Sequence, residues 1–116
     1  MAGDYAKLPF ISIDFDGVLN NYTGWAGDDE LYTPRDGITT FLMTVFDNFR
    51  IVIHTNRSPE KVWRWLKRYG LNDYIFDVTP YRVQAVAFID DRAISFRGSF
   101  GDVSLQLQNF KPHWEK

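Results

Sequence analysis

The sequence predicts an α/β domain with a mainly parallel sheet covered by helices. Short apolar runs that suit buried strands alternate with longer stretches whose apolar residues recur every three or four positions, as on one face of a helix. The order strand, helix, strand, helix is typical of a parallel sheet with right-handed crossovers. At 116 residues the chain is long enough for one domain with a substantial core and too short for two. We therefore expect a single domain over residues 1–116.

The first predicted strand is the apolar run at residues 11–13, and the carboxylates Asp14 and Asp16 follow it. Gly17 comes next and suits a turn that brings the backbone close to a ligand. Alternate residues of an extended segment project from the same side, so the two acids repel each other unless a cation lies nearby. The pattern favours a metal site over an ordinary acidic strand exit.

Residues 20–34 form a polar, glycine-bearing stretch without a clear period, which predicts a loop or small flap. Because the loop directly follows the acidic strand end, Tyr22 or Trp25 could contact a substrate there. A loop that is simply solvated is an equally good interpretation.

The first helix is predicted to start at residues 33–36, where a hydroxyl, a proline and an acid favour a helix N-terminus. Its apolar face comprises Ile38, Phe41, Leu42, Val45, Phe46 and Phe49. The β-branched run at residues 50–55 predicts the second strand. A second helix opens at residues 58–60 and ends near Gly70, and its apolar face comprises Val62, Trp65, Leu66 and Tyr69.

The second half of the chain has a less regular pattern. Residues 75–78 and 85–89 suit two more strands, but the roughly seven residues between them are too few for a helical crossover. Residues 93–97 suit one further strand. The tail from Gly101 fits either a strand or a helix, and its length and polar start favour a helix.

Composition excludes several kinds of function. A formal net charge of −2 gives no electrostatic case for binding nucleic acid or an anionic membrane. The absence of cysteine excludes disulfides, thiolate metal sites and cysteine nucleophiles. Without a targeting segment or an apolar run of membrane-spanning length, we expect a soluble, cytoplasmic protein with no membrane partner.

Three predicted strands end in polar groups, and in a parallel sheet these ends meet at one edge. The groups are Asp14 and Asp16, Thr55 and Asn56, and Asp90 and Asp91. Sites rich in oxygen and free of sulfur suit a hard cation, and Mg²⁺ typically takes one or two carboxylates plus waters and phosphate oxygens. A divalent ion would also offset the repulsion between carboxylates and a phosphate. The sequence therefore predicts Mg²⁺-assisted phosphate chemistry.

Three blocks of this sequence resemble motifs one, two and four of the haloacid dehalogenase-like (HAD) superfamily of phosphohydrolases. They are residues 14–19, the strand ending at Thr55, and residues 88–91, and the resemblance spans roughly residues 9–97. It implies a Rossmann-like, three-layer α/β/α fold and Mg²⁺-dependent phosphoryl transfer. The gaps between the motifs leave no room for a cap domain. An open, capless site would admit a large or nucleotide-type phosphorylated substrate, or would need a lid from another subunit of a homo-oligomer.

By this resemblance, Asp14 would attack phosphorus and form an aspartyl-phosphate. Asp16 would protonate the leaving oxygen, activate water and reach the metal through its backbone carbonyl. Thr55 would hydrogen-bond the phosphoryl group. Asp90 would complete the Mg²⁺ shell, with Asp91 as a second ligand or an outer partner.

The resemblance also implies a lysine, motif three, that offsets the charge of nucleophile and phosphate. Arg82 is the best-placed residue here, and Lys61 is the alternative, although arginine does not replace a lysine point charge equally well. We expect Gly17 and Asn56 beside the phosphate. Arg57 would either assist with phosphate or form a surface salt bridge.

Two functions remain open at this point. One is a Mg²⁺-dependent phosphomonoesterase with Asp14 as its nucleophile. The other is a catalytically weak or silent module that binds a phosphorylated ligand or partner, and the arginine at position 82 supports it. A phosphate-accepting receiver domain is a third idea, which the order of the acidic blocks argues against. We expect His54 to be packed or hydrogen-bonded and assign no role to His113.

Overall fold

The computed structural model describes residues 5–115, and a four-stranded parallel sheet lies at its centre. The strands are β1 (Phe10–Asp14), β2 (Arg50–His54), β3 (Ile75–Thr79) and β4 (Phe88–Ile89), in the spatial order β3-β2-β1-β4. The α-helices are α1 (Ile38–Phe46), α2 (Pro59–Arg68) and α3 (Phe100–Asn109). The predicted α/β class with a parallel sheet is thus confirmed. Residues 1–4 and 116 of the predicted single domain lie outside the described residues.

The strand pairing determines which side chains meet at the edge of the sheet. β1 is central and pairs with β2 so that Asp14 lies beside His54. On its other side it pairs with β4, with Ser12 beside Phe88. The residues that follow these strands therefore share one edge, and this edge is where open α/β sheets bind ligands.

One face of the sheet packs against α1 and α2 to form the core. Ile11 and Ile13 of β1 and Ile51 and Ile53 of β2 belong to it, because alternate residues of a strand share a face. The two helices contribute Ile38, Leu42, Val62, Trp65 and Leu66. Burial of each aliphatic side chain contributes about 1.5–3 kcal/mol, so this layer holds the strand ends in place.

The first helix begins later than predicted. α1 starts at Ile38 because Gly37 takes a left-handed conformation, with φ of 85°, immediately before it. Pro34 instead forms an antiparallel bridge with Asn20, and the Arg35 N–H donates to the Leu19 carbonyl. The prediction of a helix start at residues 33–36 was wrong because this segment closes the base of the 20–34 loop.

The second helix and the third strand agree with prediction, while the later elements agree in part. α2 ends before Gly70, whose φ is 70°. The strand predicted at residues 85–89 is reduced to β4, and the strand predicted at residues 93–97 is absent. β4 is an edge strand that pairs only with β1 among the described residues, so the 93–97 segment has no sheet neighbour. The helical interpretation of the tail is confirmed by α3, which Ser99 caps by accepting from the Asp102 N–H.

Two apolar positions predicted to lie on buried helical faces are exposed. Phe41 is 38% exposed and Tyr69 is 37% exposed. Tyr69 still packs edge-on against Trp65, with ring centroids 5.2 Å apart.

No helix among residues 5–115 is long and apolar enough to cross a membrane.

Candidate functional site

A pocket of about 400 Å³ lies at the carboxyl edge of the sheet. It gathers most of the polar residues that the sequence singled out, together with two aromatic residues of the 20–34 loop. The lining residues are Asp14, Asp16, Tyr22, Trp25, His54, Thr55, Asn56, Arg57, Asp90, Asp91 and Arg92. Of the predicted site residues, Gly17, Arg82 and its alternative Lys61 do not line this pocket.

Three carboxylates converge in the pocket. Asp14 ends β1, and Asp90 and Asp91 follow β4, the neighbouring strand. One oxygen from each acid lies within 4.8 Å of the others. Oδ1 of Asp91 is buried and has no hydrogen-bond partner among the described residues. Carboxylate oxygens at this spacing fit a hard divalent cation such as Mg²⁺.

The environment of Asp14 raises its pKa to about 8. Burial is the main cause because it disfavours the charged form. A hydrogen bond with Asp91 and the negative charges of Asp90 and Asp91 raise the pKa further. Without a cation, the cluster therefore retains a proton near neutral pH, and a bound cation would compete with that proton.

The carboxylate of Asp16 lies outside this three-acid cluster. Its Oδ1 and Oδ2 accept hydrogen bonds of 3.1 and 2.9 Å from Nε of Arg57. Oδ1 also accepts from the Asn20 side chain at 2.9 Å. The acid/base role predicted for Asp16 would therefore require the Arg57 contact to shift, and metal contact would have to come through its backbone.

Arg57 is a buried residue, with 2% of its surface exposed. Besides pairing with Asp16, it donates from Nη1 to the Gly27 carbonyl at 3.2 Å and lies 4.7 Å from the ring centroid of Trp25. Its Nη2 has no hydrogen-bond partner among the described residues. The interpretation of Arg57 as a surface salt bridge was wrong, because the ion pair lies inside the pocket wall.

The turn after β2 places Thr55 and Asn56 on the opposite wall. Thr55 is buried, its N–H donates to the Thr79 carbonyl, and its hydroxyl accepts from the Arg57 N–H at 3.1 Å. Asn56 is exposed at the pocket surface. His54 approaches the Pro80 carbonyl at 3.1 Å through Nε2, as expected of a hydrogen-bonded histidine.

Gly17 is required by a close approach of side chains. Its φ is 86°, and a Cβ at this position would clash with the carboxylate of Asp91 and lie 2.8 Å from Nε1 of Trp114. Side chains of this chain, Asp91 and Trp114, thus make the close approach at Gly17, and the predicted approach of its backbone to a ligand stays a prediction. Its N–H donates to the Asn20 side chain at 2.9 Å, which fixes the turn.

Residues 113 and 114 are part of the site surroundings, although the sequence assigned them no role. Trp114 donates a hydrogen bond to Oδ2 of Asp91 and packs edge-on against Tyr22, with ring centroids 4.8 Å apart. The ring of His113 contacts the Gly17 carbonyl. No periodicity or motif in the sequence links His113 to Gly17 or Trp114 to Asp91, because each pair lies far apart in the chain.

The two candidates for the motif-three cation occupy different places. The guanidinium of Arg82 stacks 3.9 Å from the Phe88 ring centroid and borders a separate cavity of about 120 Å³ that Asp14 and Asp90 also line. Within the described residues it forms no salt bridge with Asp14. Lys61 pairs with Asp28 at 3.2 Å and Asp29 at 2.6 Å. Lys61 thus holds the 20–34 loop against α2.

The arrangement brings three acidic side chains together and places a hydroxyl and a guanidinium in the same pocket. Asp14 and Asp90 are the acids common to the pocket and to the smaller cavity next to Arg82. No protein-family model matches the sequence, and neither a curated protein nor a solved structure matches the chain.

Proposed function

We propose that this chain is a Mg²⁺-dependent phosphohydrolase of the HAD-like type that cleaves phosphate monoesters through an aspartyl-phosphate on Asp14. The observation that supports it best is the convergence of Asp14, Asp90 and Asp91, whose oxygens lie within 4.8 Å of one another. Acids brought together by β1 and β4 repel one another unless a cation binds or one of them keeps its proton. A cation held by these acids would also offset the negative charge of a phosphate bound beside them.

Asp14, Asp90 and Asp91 would hold the cation, and the unsatisfied Oδ1 of Asp91 gives it a free donor. When bound, Mg²⁺ supplies charge neutralisation for the carboxylates and the phosphate and polarises the phosphoryl group. The raised pKa of Asp14 means that its carboxylate is largely protonated near neutral pH in the metal-free protein. Activity should therefore depend strictly on a divalent cation.

In the proposed reaction, an oxygen of Asp14 forms a bond to phosphorus while the ester P–O bond breaks. The leaving oxygen takes a proton from Asp16. Water then gives a proton to Asp16 and cleaves the acyl phosphate, which releases phosphate and regenerates Asp14. Because Arg57 contacts both oxygens of Asp16, each proton transfer requires this ion pair to loosen.

Positive charge for the phosphate would come from the pocket wall. Arg57 is buried and keeps one unpaired nitrogen, and Arg92 also lines the pocket. Thr55 would donate its hydroxyl proton to a phosphoryl oxygen, and Asn56 and the Gly17 turn would lie alongside. In this proposal Arg82 acts on Asp14 from the smaller cavity.

The cytoplasmic location, the capless architecture and a lid from a homo-oligomer stay predictions.

The test is phosphate release from p-nitrophenyl phosphate with Mg²⁺ and with EDTA. We expect turnover that requires Mg²⁺ and is lost in Asp14→Asn. Asp47→Asn, which changes an exposed acid after α1, is the matched control and should leave turnover unchanged. Full activity in Asp14→Asn would reject the proposal.

A binding module without turnover is the second candidate. It is favoured by the Arg57–Asp16 ion pair, which occupies the acid/base residue, and by the absence of a salt bridge between Arg82 and Asp14 among the described residues. It predicts Mg²⁺-dependent binding of inorganic phosphate, measured by titration calorimetry, with no hydrolysis of any monoester.

A further inference from the structure

An indole ring lies exposed at the mouth of the pocket. Trp25 is 63% exposed and lines the same pocket as Asp14. The loop that carries it is held by the Tyr32 hydroxyl, which donates to the Gly24 carbonyl at 2.6 Å, and by Arg57, which donates to the Gly27 carbonyl. Trp25 is therefore presented by a fixed segment of backbone.

The Trp25 ring is connected to the acids of the pocket through Arg57. The Arg57 guanidinium lies 4.7 Å from its centroid, which is within cation–π distance. Arg57 is buried, and Asp16 holds its Nε at 2.9 Å. The ring thus contacts Arg57, which in turn pairs with Asp16, two residues after Asp14. The large exposed fraction of Trp25 leaves ring surface that neither Arg57 nor the loop covers.

We propose that Trp25 stacks against a planar ring in the leaving group of the substrate, so that the site selects monoesters in which an aromatic ring lies close to the phosphate. A nucleoside monophosphate has this chemistry, with a ribose spanning the interval between phosphate and ring. A pocket of about 400 Å³ has room for such a molecule, since small-molecule sites measure about 300–1,000 Å³. This inference rests on the proposed function, because the phosphate is assumed to lie at Asp14.

The alternative role for Trp25 is purely structural, as a cover for the Arg57–Asp16 ion pair. The two roles differ in what a substitution does. Loss of a cover would weaken every phosphate ligand equally, because Asp16 and Arg57 serve them all. Loss of a stacking surface would weaken only ligands that carry a ring.

The experiment compares adenosine 5′-monophosphate with ribose 5-phosphate, which has the same sugar and phosphate and lacks the ring. KM and kcat for both ligands are measured with Mg²⁺ in the otherwise wild-type chain, and calorimetry measures binding of any ligand that is not turned over. We expect Trp25→Ala to weaken adenosine monophosphate binding about 5- to 100-fold, the range found when a stacking aromatic is removed. Ribose 5-phosphate binding should change less than about 2-fold, and Trp25→Phe should restore most of the preference. Tyr81→Ala removes a 76% exposed aromatic outside the pocket and should change neither ligand.

The outcomes separate this inference from the proposed function. Turnover of both ligands at equal efficiency, unaffected by Trp25→Ala, would overturn the inference and leave the phosphohydrolase proposal intact. Ring-dependent binding without hydrolysis of either ligand would support the stacking role and reject the enzymatic proposal. An equal loss for both ligands in Trp25→Ala would assign Trp25 the structural role and overturn the inference.

Discussion

Trp114 donates a hydrogen bond from its indole Nε1 to Oδ2 of Asp91, a residue 23 positions earlier in the chain. The other oxygen of Asp91 is buried and has no partner among the described residues. The indole therefore occupies one oxygen of this acid and restrains the orientation of its carboxylate. In the proposed function Asp91 is a metal ligand, and Trp114 would then orient this ligand without touching the ion.

Trp114→Phe should weaken Mg²⁺ binding by about 10-fold or more, since loss of a group that orients a ligand typically costs about 10- to 100-fold in affinity. Phenylalanine keeps a ring beside Tyr22 and removes the indole donor. Titration calorimetry with Mg²⁺ measures the change. Trp63→Phe on α2, which lies outside the pocket, is the control. Equal affinities for the wild type and Trp114→Phe would mean that Asp91 needs no support from the indole.

Arg57→Ala should lower the free energy of unfolding by about 3 kcal/mol, because it leaves Asp16 partly buried without its cation. The side chain of Arg57 is 1% exposed and that of Asp16 is 22% exposed. Urea denaturation measures the loss. The control is Arg64→Ala, whose pair with Glu60 is 70% and 79% exposed and should contribute no more than about 0.5 kcal/mol. Similar losses for both variants would contradict a structural role for the buried pair.

The parts of the fold that could be predicted are those determined by local patterns. The apolar runs of β1 and β2 are short and end abruptly in polar residues, so both their burial and their ends follow from sequence. The convergence of Asp14, Thr55 and Asp90 then follows from a general property of parallel sheets. The face of α2 that carries Val62 and Leu66 is equally regular.

The parts that could not be predicted depend on contacts between distant segments. The start of α1 depends on the bridge between Asn20 and Pro34, which competes with helix formation at residues 33–36. The pairing of Lys61 with Asp28 and Asp29 is a loop-to-helix contact that no spacing rule reveals. Salt bridges of this kind form wherever the fold brings opposite charges together. The sequence alone therefore did not exclude a contact between Lys61 and Asp14.

The stability of the metal-free protein should fall as pH rises, because the pKa of Asp14 is raised from its ordinary value of 3.8 to about 8. The folded state holds this proton more tightly than the unfolded chain does. The stability linked to Asp14 is therefore complete below its unfolded pKa and is lost as pH approaches about 8. Melting temperatures from pH 5 to pH 9, taken as wild type minus Asp14→Asn, isolate this contribution.

Mg²⁺ should reduce this dependence on pH, since a bound cation takes the place of the proton. The stabilisation by Mg²⁺ should accordingly grow between pH 5 and pH 9 and be smaller in Asp14→Asn. A difference curve that stays flat over this range in EDTA would show that Asp14 titrates at its ordinary pKa.

Gly17→Ala should both destabilise the protein and weaken Mg²⁺ binding. A side chain at φ of 86° costs about 1–2 kcal/mol through backbone strain alone, and here the new Cβ also clashes with Asp91 and Trp114. Gly37→Ala is the matched control, because Gly37 has a φ of 85° and a Cβ added there would meet no atom within 4 Å among the described residues. It carries the strain without the clash, so it should lower the unfolding free energy and leave Mg²⁺ affinity unchanged. Denaturation and calorimetry on both variants separate the two effects, and equal Mg²⁺ affinities would show that Asp91 can move aside without loss of the metal site.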